Sequence, residues 1–193
     1  MASASLQFRP LTPARWKDLE ALFGPRGACA DCWCMWPRFA PAQMRKRSNE
    51  ANRRALHRLV NSGVPPGILA YRDGRPVGWC AFAPREEYRR LATSRVLRPV
   101  DDKPVWSIIC FFIARSVRRA GLTGALLRAA LEHVRKRGAR IAEAYPVDAR
   151  ARRSSSALWH GVASTFLRNG FKEVVRRSAD RPIVRKQLRV APR

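Results

Sequence analysis

The sequence is short of acid. Across 193 residues, 14 Asp and Glu stand against 39 Lys and Arg, a formal charge of +25. Such a balance suits a polyanionic partner: a coenzyme, nucleic acid, a ribosomal surface or an anionic membrane. The basic residues are dispersed from Arg9 to Arg193 rather than gathered in a tail, which disfavours a dedicated nucleic-acid arm. The chain also lacks any apolar run near the roughly 20 residues that span a bilayer, so a transmembrane helix is not expected. Residues 1–10 show no basic-then-apolar export pattern. Cysteine is present five times, an odd number that makes a poor disulfide framework. The expectation is a cytoplasmic, reduced protein, with one domain over 1–193.

Two familiar phosphate cradles are missing as well. No Gly-Lys-Ser/Thr ending marks a Walker loop, and no Gly-x-Gly-x-x-Gly follows a strand. What stands in their place runs from Val105 to Gly138. Its first part, Val-Trp-Ser-Ile-Ile-Cys-Phe-Phe-Ile, reads as a strand covered on both faces. Its last part has apolar residues at Leu122, Leu126, Ala130 and Val134, with Leu127 and Leu131 beside them, which is helical spacing. Gly138 suits a left-handed end to that helix. Between them lie Arg115, Arg118, Arg119, Gly121 and Gly124. First-turn amides without intrahelical partners, the helix dipole and flanking arginines together form an anion site.

Elsewhere, Leu6–Leu11 reads as a strand, and Thr12-Pro13 opens a helix carrying Trp16, Leu19, Leu22 and Phe23. Gly24-Pro25 ends it. The segment Cys29-Ala-Asp-Cys32-Trp-Cys34-Met-Trp36 is too poor in ligands for a structural zinc site, and no metal is expected there. Its thiols and aromatics suit either packing or the wall of a substrate pocket, with Cys34 and Trp36 the candidates. Asn49–Val60 reads as a helix. Ile68–Tyr71 and Pro76–Phe82 form a hairpin around Asp73-Gly74. Residues 83–104, charged and punctuated by proline, read as a loop that covers the substrate. Ala139–Val147 reads as a strand, Asp148–Ser156 as a loop, Leu158–Asn169 as a helix, and Lys172–Arg177 and Ile183–Val190 as strands.

The string Arg118-Arg-Ala-Gly121-Leu-Thr-Gly124 resembles the Arg/Gln-x-x-Gly-x-Gly/Ala pyrophosphate loop of the GNAT superfamily of acetyl-CoA-dependent N-acetyltransferases, with Thr123 at the second Gly/Ala position. The order of elements around it is similar over most of the chain. The resemblance implies a mixed α/β (α+β) fold: a mostly antiparallel central sheet flanked by helices, whose central parallel strands splay to admit pantetheine. It implies that Phe112 and Ile113 hold the pantetheine arm through their backbone. Arg118, Arg119, Ala120, Gly121, Leu122, Thr123 and Gly124 would take the pyrophosphate, and Arg150, Arg152 or Arg153 the other phosphate. The acetyl group would pass from acetyl-CoA directly, in a ternary complex, to a primary amine of a small molecule or protein. The alternative is a basic RNA- or ribosome-associated module whose acyl-CoA site is regulatory or vestigial. A homodimer is compatible with either.

Amine acetylation needs a base to free the nucleophile and an acid for the departing thiolate. The tyrosine that relatives often use as acid, four residues before a Gly-Phe pair, is Phe166 here. Glu143 and Tyr145 are the expected catalytic pair: two apart on a strand, they share a face. The resemblance sets that face at the cleft mouth. Asp31, Cys34, Asp148, His160 and Ser164 are lesser candidates.

Overall fold

The computed structural model describes residues 5–148 and 158–189. Seven strands form one sheet: β1 (Leu6–Pro10), β2 (Gly67–Arg72), β3 (Arg75–Pro84), β4 (Trp106–Ile113), β5 (Ile141–Ala144), β6 (Lys172–Arg176) and β7 (Pro182–Gln187). Their spatial order is β1-β2-β3-β4-β5-β7-β6, and every pairing is antiparallel except β4 with β5. The helices are α1 (Trp16–Phe23), α2 (Pro41–Arg45), α3 (Asn49–Asn61), α4 (Arg89–Ala92), α5 (Leu122–Lys136) and α6 (Ala163–Arg168).

The sheet is covered on both sides, which is why β3 and β4 are almost unbroken apolar runs. Leu122, Leu126, Ala130 and Val134 of α5 face one side, against Ile68, Ala70, Phe82 and Ile108. Helices α1 and α3 cover the other with Leu19, Phe23, Leu56 and Val60, against Leu69, Trp79 and Ile109. Each fully buried Leu here contributes about 1.5–3 kcal/mol by leaving water. Helix and sheet approach closely at Gly78, where a Cβ would lie 2.8 Å from Leu126 Cδ1. The β2–β3 hairpin turns through Asp73 (φ 50°) and Gly74 (φ 75°), the two left-handed residues that an Asp-Gly turn provides.

The decisive irregularity is in the middle. Strands β4 and β5 pair only between Trp106–Ile108 and Ala142–Ala144. Beyond that point β4 carries a bulge, since Ala81 opposes Cys110 while Phe82 opposes Ile108. The amide of Phe111 donates to the Trp159 carbonyl at 2.7 Å, so the strand β4 would otherwise meet is replaced by loop. The expected splay between parallel strands is present.

Three expectations about elements need correction. The strand expected over Ala139–Val147 is confined to Ile141–Ala144. The helix expected over Leu158–Asn169 forms only from Ala163, because Gly161 adopts φ 79° and turns the chain first. Residues 83–104 are not a bare loop. They complete β3 and form α4, and they bury Arg85, Tyr88 and Leu91. Arg177 ties the segment down through the carbonyls of Val96, Arg98 and Pro99. Among the described residues, no helix is long and apolar enough to cross a membrane.

Candidate active site

The splay opens into one cavity of about 1120 Å³. At one end lies the loop before α5. Arg119 (φ 66°) and Gly121 (φ 71°) both adopt left-handed backbone, and Gly121 caps the helix. A Cβ at Gly121 would meet nothing within 4 Å, so backbone conformation, not crowding, calls for glycine there. The Gly124 amide turns back to the Gly121 carbonyl at 3.1 Å, and Arg118 Nε donates to the Ile113 carbonyl at 3.0 Å. Arg115, Arg118, Arg119, Arg128 and Arg168 surround this end. Of the residues expected to hold coenzyme, Phe112, Ile113, Arg118, Arg119, Gly121, Leu122, Thr123 and Gly124 all line the cavity. Ala120 does not. Arg150, Arg152 and Arg153 lie outside the described residues.

The opposite end is built by residues 28–37. Ala28, Ala30, Asp31, Trp33 and Cys34 all have φ between 44° and 72°, a conformation that costs non-glycine residues of order 1 kcal/mol or more each. Helix α3 holds them there. Asn49 Nδ2 donates to the Pro25 carbonyl (2.9 Å) and Asp31 Oδ1 (2.6 Å), Asn49 Oδ1 accepts from Trp33 Nε1 (2.9 Å), and Asn52 Nδ2 donates to the Asp31 carbonyl (2.9 Å). The result presents Cys29, Cys32, Cys34 and Trp36 to the cavity, with Cys110 from β4 beside them. Trp79 Nε1 donates to Cys34 Sγ at 3.0 Å. The Arg90 guanidinium lies 4.1 Å from the Trp36 ring centroid. Residues 83–104 contribute no lining side chain among those described.

Glu143 and Tyr145 share a face, as expected, but that face is closed. Both are fully buried, and neither lines the cavity. Tyr145 donates to Glu143 Oε1 at 2.5 Å and meets Ser107 Oγ at 2.8 Å. Arg185 Nε donates to Glu143 Oε2 at 2.6 Å, and Arg185 also grips Asp101 through two bonds of 2.7 and 2.9 Å. Burial, then the adjacent Glu143, pushes the Tyr145 phenol well above its ordinary range. The placement of this pair at the cleft mouth is therefore corrected: it is an interior ion-pair network reaching β7.

The lesser candidates scatter. Asp31 is held by Asn49, Asp148 pairs with Arg176 at 2.9 Å, and Ser164 is exposed. His160 is buried against Trp159, and burial drives it well below its ordinary range. Phe166 is buried between Phe111 and Phe171 and supplies no acid. Among the described residues, no group of three or more His, Cys, Asp or Glu could hold a metal ion.

A parallel pair that splays beside a basic, glycine-capped helix start leaves a cleft with an anion site at one end. Residues 31–154 match the model of the acetyltransferase (GNAT) family, about two thirds of the chain, and the protein belongs to that family of acetyltransferases. Solved structures share the fold at low identity. An N-acetyltransferase from Staphylococcus aureus has a TM-score of 0.56 at 12% identity, covering 96% of this chain and 100% of that one. A ribosomal-protein-alanine N-acetyltransferase from Brucella melitensis has a TM-score of 0.55 at 18% identity, with 94% and 99% covered. The PaiA N-acetyltransferase of Thermoplasma acidophilum, in complex with coenzyme A, has a TM-score of 0.54 at 15% identity, with 95% and 99% covered. No curated protein matches the chain.

Proposed function

We propose that the protein transfers an acetyl group from acetyl-CoA to the primary amine of a small or peptidic acceptor, with both substrates held in the single cavity. The observation that carries this is the continuity of that cavity from the glycine-capped start of α5 to the Cys34/Trp36 wall. Its size suits the coenzyme's reactive arm together with an acceptor. The amides of residues 119–124 and the arginines around them suit a pyrophosphate, and the open space at Gly121 leaves a phosphate room to approach. Phe112 and Ile113, on the unpaired edge of β4, would hold the pantetheine arm. Acetyl-CoA supplies an activated thioester; the chain supplies orientation and exclusion of water.

The acceptor end also selects. Among the described residues the cavity has arginines and no carboxylate, so a polyamine would find no counter-charge. An aromatic or apolar amine, neutral or bearing a carboxylate, fits Trp36, Phe23 and Phe112 better.

The test is calorimetric titration of nucleic-acid-free protein with acetyl-CoA at two salt concentrations. One-to-one micromolar binding, about −8 kcal/mol, is expected at both. Absence of acetyl-CoA binding, with RNA binding that collapses steeply as salt rises, would overturn the reading in favour of a nucleic-acid module.

A further inference from the structure

The cavity wall opposite the anion site carries two thiols at the ends of one tight turn. Cys29-Ala-Asp-Cys32 is closed by a backbone hydrogen bond, the Cys32 amide donating to the Cys29 carbonyl at 3.1 Å. Both residues inside the turn, Ala30 (φ 47°) and Asp31 (φ 58°), are left-handed. A turn closed in this way brings its first and last Cα atoms within about 7 Å, and a disulfide spans about 4.4–6.8 Å. Neither inner residue is glycine, so the conformation is imposed from outside. Asn49 Nδ2 donates to Asp31 Oδ1 at 2.6 Å, and Asn52 Nδ2 donates to the Asp31 carbonyl at 2.9 Å. Helix α3 therefore holds the turn closed while both cysteines are free thiols lining the same cavity.

The other thiols are less available. Cys34, Cys80 and Cys110 are buried, and Cys34 Sγ accepts from Trp79 Nε1 at 3.0 Å. Cys29 is exposed and Cys32 half-buried, so a reagent from solvent meets Cys29 first. Burial, then the neighbouring Cys34, pushes Cys32 up to about 12, and it keeps its proton until a partner sulfur is presented. The Cys32 sulfur makes only a long contact, 3.8 Å, with the Gly27 carbonyl. A thiol is a weak donor, so little is lost when that contact is exchanged for a covalent bond.

We propose that Cys29 and Cys32 form a reversible dithiol–disulfide couple, a redox-modifiable site in the cavity wall that is separate from the anion site. The oxidant is a low-molecular-weight disulfide. In the first step the Cys29 sulfur bonds to one sulfur of that disulfide, its S–S bond breaks, and the departing sulfur takes the proton Cys29 gives up. In the second step the Cys32 sulfur attacks the Cys29 sulfur, the mixed S–S bond breaks, and the second small thiol leaves with the Cys32 proton. Two cysteine thiols are oxidised by two electrons, and one small disulfide is reduced to two thiols. The couple does not depend on the acetyltransferase reading.

The experiment equilibrates the full chain in buffers of graded reduced and oxidised glutathione, then traps free thiols with iodoacetamide in denaturant and reads whole-protein mass. Cleavage before Asp31 parts Cys29 from Cys32 unless a disulfide joins them. The expected product has lost two hydrogens, its Cys29 and Cys32 fragments are linked, and Cys34, Cys80 and Cys110 are alkylated. Dithiothreitol should reverse it. The equilibrium constant for oxidation should be about tenfold above that of the same chain in urea, because the fold holds the turn closed. Cys32→Ser should stop at one glutathione on Cys29, and Cys29→Ser should form neither adduct nor link. A bond from Cys34 to Cys32 or Cys110, a lasting glutathione on wild-type Cys29, or equal oxidation in urea overturns the proposal. Calorimetry with acetyl-CoA should give the same affinity in both redox forms, and affinity lost only on oxidation would overturn the separation from the anion site. No binding in either form would sink the acetyltransferase reading, while the mapped disulfide would still decide the couple.

Discussion

Removing Arg185 should destabilise the protein through a carboxylate that lies far from any solvent. Glu143 is fully buried, and Arg185 Nε holds its Oε2 at 2.6 Å, while Arg85 approaches no closer than 3.9 Å. In Arg185→Met the aliphatic volume stays but the charge leaves, and Glu143 keeps only the Tyr145 hydroxyl and the more distant Arg85. Breaking one partner of a buried pair costs about 3–5 kcal/mol. Asp101, the other carboxylate on Arg185, is about a third exposed, so its loss adds little. For a chain of this length each kcal/mol lowers Tm by about 2–4 °C, giving a fall of roughly 6–20 °C. Urea titration supplies the free energy, and calorimetry the Tm. The double variant Arg185→Met/Glu143→Leu removes both charges and should recover part of the loss. A loss below about 1 kcal/mol for Arg185→Met, or a double variant worse than the single, would refute the reasoning.

Other outcomes follow from the same contacts. Gly121→Glu should weaken acetyl-CoA binding by a hundredfold or more in calorimetry by bringing negative charge to the anion site. The open space around Gly121 leaves only backbone strain, about 1–2 kcal/mol, to appear in urea titration. At Gly67 an added Cβ would lie 2.3 Å from the Trp79 ring and 2.4 Å from the Cys80 carbonyl oxygen, so Gly67→Ala should cost about 1–3 kcal/mol by overpacking. Acid should lower stability slightly between about pH 4 and pH 2. Hydrogen bonding to Arg185 holds Asp101 at about 2, from an ordinary 3.8, and Arg135 holds Glu132 at about 2. These depressed carboxylates stabilise the fold above their unfolded values and lose that contribution as pH falls through 4 towards 2. Urea titration at pH values across the window checks it.

Much of the architecture was legible because it is periodic. The α5 stripe and the apolar runs of β3 and β4 carry their own geometry, and Asp73-Gly74 marks its own turn. The basic, glycine-bearing loop before α5 was legible for the same reason, lying between two periodic elements. Glu143 and Tyr145 were read correctly as neighbours, but spacing reveals only that two side chains share a face. That β7, from far along the chain, brings Arg185 to close that face is a fact of strand order, which local sequence does not encode. Residues 83–104 looked open because they are charged, yet Arg85 buries its guanidinium by donating to the Asp101 and Lys103 carbonyls. The left-handed run from Ala28 to Cys34 left no glycine at those positions to announce it.

That run makes one wall of the cavity dependent on a helix that does not touch it. Asn49 and Asn52 are absent from the lining, yet their side chains hold the backbone that carries Cys34 and Trp36. A sequence drifting at those two positions would reshape that wall without exchanging a single lining residue. Comparisons restricted to the residues a ligand touches would overlook the change. The shape of the cavity is written partly in the first turn of α3.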